Sequence, residues 1–408
     1  MENKPKLDTK ASHYKNVIHG FAVSIATTVA EPATILPLII TYFGGGSLLI
    51  GFFSSLLRGG GILVQIVAAF YAQAYPLMMP YLKRVFLARF LAWMWIGVAI
   101  LLFGKSNSEL TLFSIGVGLF IFSFAAGFGT IYFKEVQAKV FTHKFRGKTM
   151  AVRQFFMGVG AIGSGAIAGF VLENYEAPFS FGILFVVSAL IMCIGIIAFS
   201  TIDEPKKIAI KTKEQHFKRY LLNSKQLLKE DKKLKNLILS QLLSYGYLFV
   251  LPFIILDAQK SIELSGSVLG TFVSLQMLGA MLSNIIWGKL AYSEKNNFVI
   301  IFAYVVMVMA LILTFIANQV WMYSLVFFLI GAGMDGFRLA YNNLIVIIAS
   351  DVNRPTYLAL QANLTSIGLF FSIPGGFLIT ITGFNSVLAF SLIVMVWGLF
   401  FALKRCEY

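Results

Sequence analysis

Long apolar runs separated by short polar connections fill most of the chain, and this pattern predicts membrane-spanning helices. A helix needs about 20 mainly apolar residues to cross a hydrocarbon core of ~30 Å. Runs such as 181–199 lack the period-two alternation of membrane-barrel strands. We therefore predict an all-α integral membrane protein with twelve spans: 16–41, 47–71, 84–103, 110–138, 148–173, 179–200, 234–257, 265–291, 298–318, 321–349, 355–382 and 385–403.

The amino-acid composition also indicates a membrane protein. Of 408 residues, 58% are hydrophobic and only 12% are charged, whereas soluble domains carry about 25% charged residues. These values argue against a soluble enzyme, a nucleic-acid-binding domain and a disordered protein. The two cysteines, Cys193 and Cys406, give no spacing for a disulfide framework or a metal site. No phosphate-binding loop of the GxxxxGK[ST] type is present, so we expect no bound cofactor and no ATP-driven pump.

The basic residues predict the orientation in the membrane. If the N-terminus is cytoplasmic, all but five of the 33 Lys and Arg residues fall in cytoplasmic segments. Lys105 and Lys260 fall on the other side, and the other three, Arg58, Lys134 and Arg338, are counted as lying within spans. Because basic residues collect on cytoplasmic loops, we expect both termini in the cytoplasm, in a bacterial cytoplasmic (inner) membrane.

One long basic segment divides the chain into halves. Residues 203–235 carry eleven basic and five acidic residues. This segment is either an amphipathic helix on the anionic inner leaflet or a solvated linker. We expect an N-terminal six-helix bundle over 1–201, a cytoplasmic basic linker over 202–234 and a C-terminal six-helix bundle over 235–408.

Six charged residues within the predicted spans are the first candidates for function. A charge at mid-bilayer costs about 2.5–3.5 kcal/mol on insertion scales, and such residues usually face a cavity or pair with one another. The net charge of the set is zero. Its members are Glu31, Arg58, Lys134, Glu135, Asp335 and Arg338.

Glu31 and Arg58 each have two possible roles. Glu31 shares one side of span 1 with Ser24, Thr27 and Thr28, so it is a candidate for binding a proton or a cationic group. The planar fork of Arg58 suits carboxylate or phosphate. The alternative for both is a structural ion pair with each other.

In span 10, Asp335, Arg338 and Asn342 share a face because they are spaced i, i+3, i+7. Asp335 is a candidate proton carrier, or only the structural partner of Arg338. In span 7, Tyr245 lies beside a polar stripe formed by Ser240, Ser244 and Tyr247, and it completes the substrate- or proton-binding candidates.

Four further charges are expected to act at a gate or in structure. Lys134 and Glu135 lie in the cytoplasmic third of span 4, where a lysine can reach the interface. Arg146 and Arg354 lie at equivalent loops of the two halves. All four histidines are expected in or near cytoplasmic segments, so no intramembrane metal site is predicted.

Short motifs recur at equivalent junctions of the two halves. Arg146-Gly147 opens span 5, Asn353-Arg354-Pro355 opens span 11, Pro374-Gly375-Gly376 follows within span 11, and Gly288-Lys289-Leu290-Ala291 follows span 8. With its twelve-span layout and long central loop, the chain resembles the major facilitator superfamily over essentially its whole length.

The resemblance implies two six-helix bundles, with spans 1, 4, 7 and 10 lining a central cavity and alternating access by rocking. Two departures limit it. Gly288-Lys289-Leu290-Ala291 resembles the start of the family's loop signature, but Tyr292 stands where that signature has an acid. The copy of the signature in the first half, residues 69–73, lacks both its glycine and its acid. In the family this loop helps to lock the cytoplasmic gate, and that role therefore cannot be carried over to this chain. The glycine-rich span 5 also lacks the Gly-Pro pair frequent in drug antiporters.

We therefore expect a secondary active transporter of a small polar solute, anionic or zwitterionic and coupled to protons, and not an enzyme. The expected partners are the lipid bilayer, the solute and protons, without nucleic acid, and the protein is expected to be a monomer. Two alternatives stay open: an efflux pump for hydrophobic or cationic compounds, and a non-transporting membrane sensor on the same fold.

Overall fold

The computed structural model describes residues 9–72, 75–206, 228, 231–349 and 354–405. The described residues are helical, without a strand, and fall into two compact units. Unit 1 comprises the described parts of Met1–Glu31 and Gly60–Lys213, and unit 2 those of Pro32–Gly59 and Glu214–Tyr408. The six-helix bundles divided at 201 and 235 stay a prediction, as does the amphipathic helix of segment 203–235, which lies mostly outside the described residues.

Sixteen α-helices are described, and two short 3₁₀ helices interrupt the second half. In unit 1 the helices are α1 (Thr9–Thr28), α4 (Ile62–Ala72), α5 (Met79–Phe103), α6 (Ser108–Val140), α7 (His143–Asn174) and α8 (Phe179–Ser200). In unit 2 they are α2 (Ile35–Tyr42), α3 (Ser47–Gly59), α9 (Lys232–Ser244), α10 (Leu251–Ala258), α11 (Gly266–Tyr292), α12 (Asn296–Ile316), α13 (Val320–Ile348), α14 (Arg354–Thr365), α15 (Ser372–Thr382) and α16 (Phe384–Arg405).

Ten helical stretches of the described chain are long and apolar enough to cross a membrane. They coincide with predicted spans 3 to 12, and the protein is an integral membrane protein. The first two predicted spans are instead each broken into two helices. The count of twelve therefore stays a prediction.

The first break follows from a proline and the second from glycines. Between α1 and α2, Pro32 has no N–H to donate and disfavours helical geometry at the residue before it. Between α3 and α4, a Cβ at Gly61 would lie 2.7 Å from the backbone oxygen of Ser123 in α6. The chain can approach α6 so closely there only because the residue is glycine.

Predicted spans 7 and 11 each contain a 3₁₀ helix, called here the first (Tyr245–Phe249) and the second (Ser366–Phe370). The two 3₁₀ helices pack against one another in unit 2. A Cβ at Gly368 would meet the ring of Tyr245, and one at Gly375 would meet the backbone of Phe249. A 3₁₀ stretch within a longer helix often marks a functional segment.

Buried polar side chains join the helices of each unit. In unit 1, the indole nitrogen of Trp93 donates to Ser188 (3.0 Å), which ties α5 to α8. In unit 2, the Tyr304 hydroxyl donates to the backbone oxygen of Ser240 (2.8 Å), which ties α12 to α9. Buried polar groups without water need such partners.

Candidate functional site

A cavity of about 410 Å³ lies within unit 2, a volume in the ordinary range for small-molecule sites. Helices α3, α9 and α13 and both 3₁₀ helices contribute to its wall. Its lining residues are Arg58, Gln241, Ser244, Tyr245, Tyr247, Met334, Phe337, Arg338, Tyr341, Asn342 and Leu369. Four of the six candidates predicted from the sequence, Arg58, Tyr245, Arg338 and Asn342, are therefore brought together.

Arg338 is held in this cavity by Asp335. Its Nε donates to Asp335 Oδ1 (2.8 Å), and its Nη2 donates to the same oxygen. The side chain of Asp335 is only 7% exposed, whereas that of Arg338 is 53% exposed although it lies inside a membrane helix. The carboxylate is thus a buried anchor, and the guanidinium is the group that faces the cavity.

Arg58 reaches the cavity from the end of α3. The next residue, Gly59, packs against the second 3₁₀ helix: a Cβ there would lie 3.0 Å from the Cβ of Leu369. Because Gly59 has no side chain, α3 approaches the second 3₁₀ helix closely beside Arg58.

Glu31 does not line this cavity. It is half-buried in the turn between α1 and α2, and it belongs to unit 1. All three hydroxyls of its predicted polar stripe donate to backbone oxygens: Thr27 to Val23 O (2.9 Å) and Thr28 to Ser24 O (2.8 Å) within α1, and Ser24 to Met157 O (2.6 Å) of α7. The stripe therefore contributes to helix packing, and the Glu31–Arg58 pair stays a prediction.

None of the four predicted gate or structural charges is among the described lining residues of the cavity. Lys134 is exposed and Glu135 is half-buried in α6. Arg146 Nη2 donates to the backbone oxygen of Ala138 (3.1 Å) near the end of α6, where a cation also complements the helix dipole. Arg354 begins α14, and its side chain lies outside the described part.

Sequence reasoning missed a buried basic cluster in unit 1. His19 is buried in α1, with ring centroids of Phe133 and Phe199 at 5.1 Å. Arg153, counted above as cytoplasmic, is 7% exposed in α7 and donates to His19 Nδ1 (3.1 Å) and Asn16 O (2.6 Å). The signal was available, since His19 falls inside predicted span 1.

Two acids at the ends of the basic segment were also missed. Glu204 accepts from the backbone N–H of Met78 and Met79 (2.8 and 2.7 Å) at the start of α5 and pairs with Lys139 (2.6 Å). An acid at a helix N-terminus satisfies free N–H groups and complements the dipole. The signal was an acid within a mainly basic segment.

Asp231 plays the corresponding part in unit 2. It caps α9 by accepting from Leu234 N (3.0 Å), and it accepts a hydrogen bond from the Tyr357 hydroxyl of α14. Burial alone would raise the pKa of Asp231, but the bonds from Tyr357 and the backbone outweigh it and hold the pKa below its ordinary value. The ionised carboxylate therefore joins the starts of two helices.

No protein-family model and no curated protein matches the sequence. Solved structures of transporters are similar in fold. A mutant of the nucleoside transporter NupG superposes with a TM-score of 0.72 at 12% identity, covering 97% of this chain and 99% of that one.

Two other solved structures agree. A bacterial homologue of the iron transporter ferroportin, in an inward-facing state, gives a TM-score of 0.71 at 12% identity over 96% of this chain and 98% of that one. A D-xylose-proton symporter gives 0.70 at 14% identity over 96% of each chain. The protein therefore has the fold of these transporters, in agreement with the fold that the resemblance to the major facilitator superfamily implies.

Proposed function

We propose that this protein is a secondary active transporter of a small anionic or zwitterionic solute, with twelve spans, both termini cytoplasmic and alternating access. The observation that carries the proposal is Arg338, a guanidinium within a membrane helix that is half exposed to a cavity and anchored by a buried acid. An exposed charge at membrane depth is costly unless a site requires it.

The free edge of Arg338 gives the site its chemistry. A guanidinium has five N–H donors and no acceptor. Two of these donors are used on Asp335, so three remain for a ligand. Arg58 lines the same cavity, and arginine forks match the geometry of carboxylates and phosphates.

Proton coupling is assigned to Asp335. An anionic solute that bonds to Arg338 competes with Asp335 for the guanidinium. A buried carboxylate that gives up its cationic partner is strongly disfavoured in its charged form, so solute binding favours uptake of a proton. On this proposal, Arg338 links the solute to the proton.

Efflux of cationic compounds fits this cavity less well. The lining residues include two arginines, and none of those described is acidic. A cation would therefore meet like charge without a carboxylate to receive it. The cationic alternative becomes an outcome of the test below.

The test is uptake into proteoliposomes of the purified full chain, with and without an imposed pH gradient. Labelled hydroxy acids, amino acids, nucleosides and quaternary amines serve as the probe classes. We expect uptake of an anionic or zwitterionic probe that accumulates with the proton gradient and is lost in Arg338→Gln. Lys105→Gln, which removes a basic residue from an exposed turn, is the control and should transport normally.

Accumulation of quaternary amines alone would overturn the proposal in favour of cation efflux. Downhill uptake that ignores the pH gradient would leave a uniporter and remove the proton role of Asp335. Unchanged uptake by a folded Arg338→Gln protein would mean that this cavity is not the solute-binding site.

A further inference from the structure

Behind the wall of the cavity, side chains form a chain of hydrogen bonds. The donor and the acceptor of each bond can be assigned atom by atom. Gln361 of α14 is 5% exposed and does not line the cavity. Its amide nitrogen lies 2.8 Å from Gln241 Oε1 and 3.2 Å from the backbone oxygen of Tyr341. Gln241 lines the cavity, and its own amide nitrogen lies 3.4 Å from the Tyr245 hydroxyl.

The backbone carbonyl fixes the direction of this chain. A carbonyl oxygen only accepts hydrogen bonds, so the atom of Gln361 facing Tyr341 O must be the amide nitrogen. That nitrogen's second proton goes to Gln241, so the Gln241 atom facing it must be the carbonyl oxygen. The orientation of both amides follows from this geometry.

This orientation decides what Gln241 offers a ligand. One of the two acceptor sites of its carbonyl oxygen is taken by Gln361, and its NH₂ group lies 3.4 Å from the hydroxyl of Tyr245, another lining residue. Together with the free N–H groups of Arg338, the wall carries several donors. The acceptors that remain there, such as the hydroxyl of Ser244, are neutral, and no carboxylate is among the described lining residues.

We propose that the cavity selects small carboxylates without an ammonium group over the corresponding amino acids, and that Gln361 is the positioning residue that sets this selectivity. The inference rests on the proposed function and narrows its solute class. A carboxylate bonds to the arginine fork and to amide N–H groups. An ammonium group would meet donors where it needs acceptors and would leave them unpaired, which is how polar sites reject a close analogue.

The test uses ligand pairs that differ only in a hydroxyl or an ammonium group: L-lactate with L-alanine, and L-phenyllactate with L-phenylalanine. Affinity is measured by calorimetry on the purified full chain, with thermal stabilisation as a second readout. In the wild type we expect each hydroxy acid to bind about tenfold or more tighter than its amino acid, the effect of one well-placed polar contact.

Two variants of Gln361 test the positioning role. In Gln361→Glu an ionised carboxylate loses the bond to Tyr341 O and can only accept, so Gln241 must turn its NH₂ group toward it and its oxygen away from it. The ratio of affinities within each pair should then fall by about tenfold or invert. Gln361→Met keeps the volume and removes the constraint on Gln241, so the ratio should fall by a smaller factor.

The matched control is Gln276→Glu, the same change at a 2% exposed glutamine of α11 outside the cavity lining. It should leave the ratio unchanged. A merely structural role of Gln361 would lower both affinities of a pair equally, and an unchanged ratio in both Gln361 variants would overturn the inference. Amino acids that bind wild type as tightly as hydroxy acids would also overturn it while leaving the transporter proposal intact. Failure of every probe to bind would instead count against the proposed function itself.

Discussion

Removing Arg338 should lower the free energy of unfolding more than removing Asp335, because the carboxylate of the pair is buried and the guanidinium is not. Arg338→Gln leaves a 7% exposed carboxylate without its cation, and removing one partner of a buried pair costs about 3–5 kcal/mol. Asp335→Asn leaves a guanidinium that is 53% exposed and stays solvated. Its cost is the loss of hydrogen bonds to a charged group, about 1.5–3 kcal/mol.

The double variant should recover part of the loss, because it leaves no unpaired charge. The pair is thus expected to show a coupling free energy of about 1–3 kcal/mol, in the range found for contacting residues. The assay is unfolding of the four proteins in detergent without solute, followed by tryptophan fluorescence. The expected order of stability is wild type, then Asp335→Asn, then Arg338→Gln, with the double variant above Arg338→Gln.

The chain contains a matched control for burial. Lys260 and Asp257 form an ion pair at the same i, i+3 spacing (3.0 Å), with side chains 70% and 23% exposed. Exposed pairs contribute about 0–1 kcal/mol, so Asp257→Asn should change the free energy of unfolding by less than either variant above. If Arg338→Gln were more stable than Asp335→Asn, the argument from burial would be wrong.

Three further predictions test packing, capping and orientation. A Cβ at Gly375 would meet a backbone oxygen of the first 3₁₀ helix, whereas one at Gly288 would meet nothing within 4 Å, so Gly375→Ala should lower the melting temperature and Gly288→Ala should not. Tyr357→Phe should destabilise the protein at pH 7 by about 1.5 kcal/mol. The lowered pKa of Asp231 stabilises the fold above its unfolded-state pKa, so the difference between wild type and Tyr357→Phe, followed by melting, should shrink as the pH falls below about 4. Cysteines introduced into segment 203–235 of a cysteine-free chain should react with an impermeant reagent only from the cytoplasmic side, and labelling from outside would reverse the orientation.

The site contacts that could be predicted from the sequence are those within a single helix, where the spacing of residues determines which side chains are neighbours. Asp335 and Arg338 were expected on one face because residues three apart in a helix are neighbours, and the ion pair is present. The convergence of Arg58 and Tyr245 on the same cavity depends on how separate helices pack, which spacing along the chain does not determine. The contacts of Gln361 with two other helices could not be predicted either, for the same reason.

The fold was predictable where hydropathy alone decides it, and less so where local chemistry intervenes. Predicted spans 3 to 12 correspond to helical stretches long enough to cross a membrane. Spans 1 and 2 read as continuous because averaged hydropathy passes over Pro32 and over the glycines at 59–61. Arg153 was assigned to the cytoplasm for a related reason: the end of a span is uncertain by several residues, and a buried arginine there resembles a loop residue in sequence.

The measurement that tests the central claim most directly is proton movement on solute addition, recorded with a pH-sensitive dye enclosed in proteoliposomes, because one solute anion carried with one proton moves no net charge. We expect the lumen to acidify faster than in protein-free liposomes when L-lactate or L-phenyllactate is added to wild type. This acidification should persist in Lys105→Gln and vanish in a folded Arg338→Gln protein. Acidification of the same size in Arg338→Gln, or a response to quaternary amines and to no carboxylate, would contradict an anion-binding transporter built around this cavity.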